Sequence, residues 1–207
     1  LTLQVEASLK SALIIGALKP GARLITKEIA DQLGTSITPV REALLRLVSA
    51  GALHATPAQA FLVPDVGKVR FIEISDIRKK LEGMAVRAAC KNMTAGKVHE
   101  LRILAEAFTE AAKTGNTELT LQSNRVFRFA VYHYAEMPTL AAIIEQLWVR
   151  IGPCFNYLYP SSPELSLGYD YGDLLSSFEN GDENGCEKAI YRTIDEGAGI
   201  LLKQFNN

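Results

Sequence analysis

Thr35-Ser36-Ile37-Thr38-Pro39-Val40-Arg41-Glu42-Ala43-Leu44-Leu45-Arg46-Leu47 is the stretch whose reading decides the fold, because it forms one short helix with two unlike faces. Val40, Ala43, Leu44 and Leu47 recur at three- and four-residue spacing and predict a core face. Ser36, Thr38 and Arg41 gather at the amino-terminal end, where hydroxyls and a guanidinium suit phosphates and base edges, the layout of a recognition helix. Ser36 or Thr38 can cap the first turn. Pro39 falls inside that turn, where a missing N–H removes no intrahelical bond.

Working outward, Thr26-Lys27-Glu28-Ile29-Ala30-Asp31-Gln32-Leu33 predicts a companion helix with Thr26 as its cap and Gly34 as its stop. Thr2 to Ile15 predicts a first amphipathic helix, ended by Gly16 and the Lys19-Pro20-Gly21 turn. Beyond the recognition helix, Ala52-Leu53-His54-Ala55 and Phe61-Leu62-Val63 predict two short paired strands around a tip at Gln59 and Ala60. Val63-Pro64-Asp65-Val66-Gly67 reads as a linker. After it, Ser75–Cys90, Thr94–Thr114, Leu119–Glu136, Pro138–Leu158, Leu165–Asn180 and Asp182–Phe205 all carry apolar residues at helical spacing. The fold class expected is mainly α: a winged helix-turn-helix over 1–66, then an antiparallel bundle of about six helices over 67–207.

Composition narrows the function classes. The 207 residues carry a net charge of −1, and positions 1–66 hold six Lys and Arg against five acids. Affinity for DNA must therefore come from a local cluster of cations and from two copies acting together, which predicts a homodimer. No apolar run reaches the length of about 18 residues that a membrane span needs, and no charged-then-apolar leader is visible. Cys90, Cys154 and Cys186 are odd in number and far apart, as reduced thiols of a cytoplasmic protein would be. An enzyme would need a nucleophile with a positioned base, or a tuned carboxylate pair, and neither is present as a spacing motif. The three His, at 54, 99 and 133, are scattered.

Gly16-Ala17-Leu18-Lys19-Pro20-Gly21, then Ile29 to Gly34, then Ser36 to Leu44, resemble in order and spacing the winged helix-turn-helix of GntR-type bacterial transcription regulators. The second part resembles the all-helical FCD effector domain of the FadR subgroup. That likeness is carried by Asp76-Ile77-Arg78 with Leu81-Glu82, by Phe127 to Leu140 with Pro138, and by Gly181-Asp182. The resemblance implies a DNA-binding regulator, a repressor in many relatives, whose DNA contacts here would be Lys27, Ser36, Thr38, Arg41 and Gln59. Two positions depart from the family. Ile37 stands where a basic residue is usual, and Gln59-Ala60 stand where the wing tip usually has Arg and Gly. A family member with weak or no DNA binding, acting as an effector-binding or interaction protein, is the alternative those departures leave open.

Many FCD domains hold a divalent metal with one Asp and three His. The matching positions here are Asn124, Arg128, Tyr171 and Thr193, and none is a residue type that ligates metal in that pattern. The expectation is no metal and no cofactor. A small anionic metabolite, a carboxylate or phosphate, would instead meet Arg128 and Arg78, with Asn124, Tyr171 and Thr193 supplying neutral hydrogen bonds. On this reading Arg128→Met abolishes the effector response and leaves the fold intact. Plainer readings stand beside it: Arg128 paired with a neighbouring acid such as Glu82, Tyr171 as a packed ring, Thr193 bonded to its own backbone, and Ser36 or Thr38 as no more than a cap.

Overall fold

In a computed structural model, residues 1–57, 60–158 and 170–205 are described. They divide into two compact units: Leu1–Gly67 with Gln146–Asn156, and Lys68–Glu145 with Tyr157–Asn207. The chain therefore passes between units three times, and residues 146–156 belong with the amino-terminal unit.

The first unit contains α1 (Thr2–Ile14), β1 (Arg23–Ile25), α2 (Thr26–Gln32), α3 (Ile37–Ser49), β2 (His54–Ala55) and β3 (Ala60–Leu62). The strands form an antiparallel sheet in the order β1-β3-β2, with Leu24 opposite Phe61 and Ala55 also opposite Phe61. Val5, Leu13 and Ile14 of α1 are buried, as are Val40, Ala43, Leu44 and Leu47 of α3, so the predicted core face of the recognition helix is the observed one. Leu147, Trp148 and Ile151 are buried too.

Each of the three helices ends in the same way. Gly16, Gly34 and Gly51 follow the last helical turns with φ of 68°, 61° and 72°. The amides beyond them, on Ala17, Thr35 and Ala52, reach back to the carbonyls of Ala12, Ala30 and Leu47 at 3.0, 3.0 and 2.9 Å. This backward bond needs a left-handed residue, which glycine adopts without a Cβ penalty.

Several local expectations differ from the structure. Thr26 is the first helical residue rather than a cap, and Ser36 occupies the cap position of α3 without a side-chain cap bond. Strand β1 is absent from the sequence reading because three residues with one buried position, Leu24, give almost no alternation to detect. Ala60 lies in β3, buried and paired, and not in a turn. The Thr56 amide and hydroxyl both donate to its carbonyl at 2.9 Å. Gln59 falls outside the described residues.

The second unit is built from α4 (Lys68–Lys91), α5 (Ala95–Lys113), α6 (Thr117–Tyr134), the start of α7 (Pro138–Ile151), α8 (Gly172–Glu179) and α9 (Glu183–Gln204). Thr94, Asn116 and Asp182 accept first-turn amide bonds from Lys97, Leu119 and Gly185, the caps of α5, α6 and α9. Helix α4 begins seven residues before the expected Ser75, since Phe71 and Ile74 extend its buried stripe back towards Gly67. Helix α7 gives way to a 3₁₀ segment, Gly152–Leu158, where Pro153 cannot donate to the helical ladder. The expected break at Tyr159 to Pro163 and the expected helix start at Leu165 lie outside the described residues.

Candidate DNA-reading face and buried polar cluster

In the first unit, α3 sinks its apolar stripe into the core and so turns Ser36, Ile37, Thr38 and Arg41 to solvent. Lys27 on α2 is exposed as well. Among the described residues neither Lys27 nor Arg41 takes part in an ion pair, so both cations remain available to phosphate. Ser36 spends no hydroxyl bond on capping, which leaves its oxygen at the surface beside Thr38. Ile37 is 50% exposed at the same end, an apolar contact where a cation was looked for.

In the second unit, two stripes of buried polar side chains follow helical periods. Helix α4 supplies Ser75, Arg78 and Glu82; α6 supplies Thr120, Asn124, Arg128 and Tyr132. Arg78 Nε donates to Glu82 at 2.7 Å, Arg128 donates to the other Glu82 oxygen and, through Nε, to the Tyr132 hydroxyl at 2.8 Å, and Tyr132 also donates to Glu82. Burial by itself would raise the Glu82 carboxyl, yet the Arg78 and Arg128 guanidiniums and the Tyr132 hydrogen bond bring it down to about 2. The Tyr132 hydroxyl is pushed well above its ordinary value, by burial first and by Glu82 after it. Two cations thus surround one anion, and the buried charges of the described residues sum to one positive.

The structure brings Arg78 and Arg128 together, as expected, but around an acid. The paired reading of Arg128 with Glu82 is the geometry observed. Asn124 and Tyr171 form a second contact, the Tyr171 hydroxyl donating to the Asn124 carbonyl oxygen. The Tyr171 ring stacks on Phe127 at 3.8 Å between centroids and tilts against Phe108 at 5.4 Å, so it is at once a packed ring and a polar partner. Thr193 bonds Ala189 of its own helix at 2.9 Å, and it lines a cleft of about 180 Å³ with Asp170, Asp173, Arg192 and Glu196. The sequence reading passed over Ser75 and Tyr132. Tyr132 is signalled by the four-residue repeat Thr120, Asn124, Arg128, Tyr132. Ser75 resembles a helix start in sequence, whereas its buried hydroxyl finds no hydrogen-bond partner among the described residues.

The donor set also decides how a divalent metal would fare. A guanidinium fixed by Glu82, an amide oxygen already accepting from Tyr171, and a hydroxyl turned to its own helix do not fit such an ion. Among the described residues no helix is long and apolar enough to cross a membrane.

A winged helix-turn-helix with an exposed hydroxyl-and-cation end on its recognition helix, carried in one chain with a second, helical unit, defines a DNA-binding transcription regulator. Residues 1–63 match the bacterial regulatory proteins of the gntR family and residues 73–196 match the FCD domain, and the chain belongs to this family, in its FadR subgroup. It is 50% identical over 209 residues to the HTH-type transcriptional regulator McbR of Escherichia coli, covering 100% of this chain and 95% of that protein. The solved structure of E. coli McbR/YncC superposes with a TM-score of 0.95, covering 99% of this chain and 98% of that one. The probable D-xylose utilization operon transcriptional repressor of Paenarthrobacter nicotinovorans is 29% identical, over 84% of this chain and 77% of that protein. The relatives are transcription regulators and not enzymes.

Proposed function

We propose that the chain is a homodimeric cytoplasmic repressor that reads a palindromic operator with α3 and answers to a small anionic metabolite bound in its helical unit without metal. The observation that carries the effector half is the pair of buried guanidiniums, Arg78 and Arg128, brought together at Glu82 inside the helical unit. A carboxylate or a phosphate entering beside these guanidiniums would meet them with charge-assisted bonds. The Ser75 hydroxyl, one turn before Arg78 on the same stripe, is a further group that a ligand oxygen could satisfy. Asn124 and Tyr171 would orient the ligand, and Thr193 would contact it from α9. Repression is supported by the Paenarthrobacter relative, a probable operon transcriptional repressor.

The mechanism is a population shift, in which the effector favours a state whose two recognition helices no longer match half-sites about one helical turn apart. The linker at Pro64 is one hinge of that change; lengthening it is expected to uncouple effector from operator release. The test of the effector is thermal unfolding against a panel of small carboxylates and phosphorylated sugars, with and without EDTA, Zn²⁺ or Ni²⁺. Stabilisation grows with the logarithm of ligand concentration over its dissociation constant. The expected outcome is stabilisation by one class of acid, indifferent to chelator and metal; stabilisation by metal alone would overturn the reading. The exposed Ile37 favours a second reading, an interaction protein with weak DNA binding, which duplex selection separates from the first.

A further inference from the structure

We infer that Arg150 is a positioning residue for operator reading: it fixes the carboxy-terminal end of the recognition helix and thereby sets the angle at which α3 presents Ser36, Thr38 and Arg41. The inference rests on the DNA-binding reading of α3 and goes beyond it.

Helix α3 ends at Ser49, with Ala50 as its cap and Gly51 in the left-handed region at φ 72°. The backward bonds of this ending satisfy the carbonyls of Leu47 and Val48. They leave the Ala50 carbonyl, the last along the helix axis, and Arg150 Nε donates to it at 2.9 Å. A guanidinium at that point also meets the negative end of the helix dipole. Its plane lies so close to Gly51 that a Cβ there would sit 3.2–3.3 Å from three guanidinium atoms. Arg150 is therefore held on two sides, by a hydrogen bond and by a surface that glycine alone leaves open.

The segment bearing Arg150 is itself anchored to the winged unit at two more points. Gly152 lies against the backbone of Leu13 and Ile14 so tightly that a side chain has no room. Asn156 donates from its amide to the Gly16 carbonyl at 3.0 Å. Thus Gly152 and Asn156 grip the end of α1 while Arg150, two residues before Gly152, grips the end of α3. The three contacts make residues 150–156 a brace that ties the two helices at their carboxy-terminal ends. A recognition helix held only along its apolar stripe can still tilt about that stripe; a fixed point at its far end removes this freedom. Base-edge contacts demand a defined tilt, whereas contacts to phosphate alone tolerate several.

The experiment uses the full chain. Duplexes are first selected from a random-sequence pool by the wild type, and a scrambled duplex of the same length serves as the unselected probe. Arg150→Met and Arg150→Lys are then compared with wild type by fluorescence anisotropy on both probes. Arg150→Met is expected to weaken the selected duplex by about tenfold, the scale of one charge-assisted hydrogen bond, while the unselected duplex stays within about twofold. Arg150→Lys, which keeps the charge and a donor, is expected to recover most of the loss. Arg150→Gln, which keeps a neutral donor, replaces the Met variant should that one not fold. Selected-duplex affinity within twofold of wild type, or equal losses on both probes, would overturn the inference. Failure of the wild type to enrich any duplex would instead remove the DNA-binding reading on which it stands.

Discussion

With Arg78 and Arg128 both bonded to Glu82, the three side chains respond unequally to removal. Arg128→Met leaves the Arg78–Glu82 ion pair in place, so the loss is that of hydrogen bonds to a charged group, about 1.5–3 kcal/mol. Glu82→Gln removes the one carboxylate that both buried guanidiniums are seen to bond, and about 3–5 kcal/mol is expected. Urea denaturation of the two variants should rank them in that order. A loss of effector response in Arg128→Met is therefore to be read beside the stability of that variant. The sign of the pH dependence follows from the same carboxylate. Its folded value of about 2 lies below the usual 4.5, so the cluster's contribution is complete above about pH 4.5 and is lost as the pH falls towards 2. On the surface, Ile37 offers a methyl-bearing contact of the kind that meets thymine in the major groove. Ile37→Lys is expected to exchange a T·A preference for guanine at one half-site position, and sequencing the duplexes each protein selects would show it. The candidate positions Asn124, Arg128, Tyr171 and Thr193 were legible only through the resemblance to FCD domains, whose metal-binding positions they match. Their partners were not, since nothing in a linear spacing says that Glu82 on α4 comes to lie against Arg128 on α6.

At the scale of elements, helix endings separate backbone strain from crowding. Gly34 at φ 61° faces open space, so Gly34→Ala should cost only the left-handed penalty, about 1–2 kcal/mol. Gly16 has the same φ range, yet a Cβ there would lie 2.6–2.8 Å from atoms of Phe155 and Asn156, and Gly16→Ala should cost clearly more. Glu136 is the reverse case, a side chain held at φ 55° after α6 where α1, α2, α3, α5 and α8 are followed by glycine; Glu136→Gly is expected to gain up to about 1 kcal/mol. Shifts of urea midpoint at unchanged slope would measure all three. These endings, with Thr94 and Asp182 at the starts of α5 and α9, are what made several helix bounds readable from sequence, whereas the cap Asn116 was passed over and α6 was expected only from Leu119. The exceptions have local causes. A cap-like Ser75 sits buried inside α4, and β1 is too short to alternate.

The molecule as a whole is not two beads on one linker, for the chain returns to the winged unit at Gln146 and leaves it again after Asn156. Sequence composition marks the crossing at Val63 to Gly67 but not the one at Glu145 and Gln146, because α7 runs through it as one uninterrupted helix, with no interior glycine or proline to signal it. The central claim is that a small anion in the helical unit governs operator binding by the winged unit. Its most direct test is fluorescence anisotropy of a duplex selected by the protein, titrated with the acid that stabilises it against heat. The account predicts that this acid changes the apparent affinity for the selected duplex at concentrations near its own dissociation constant, with EDTA making no difference. Operator affinity unmoved by an acid that demonstrably binds would contradict it.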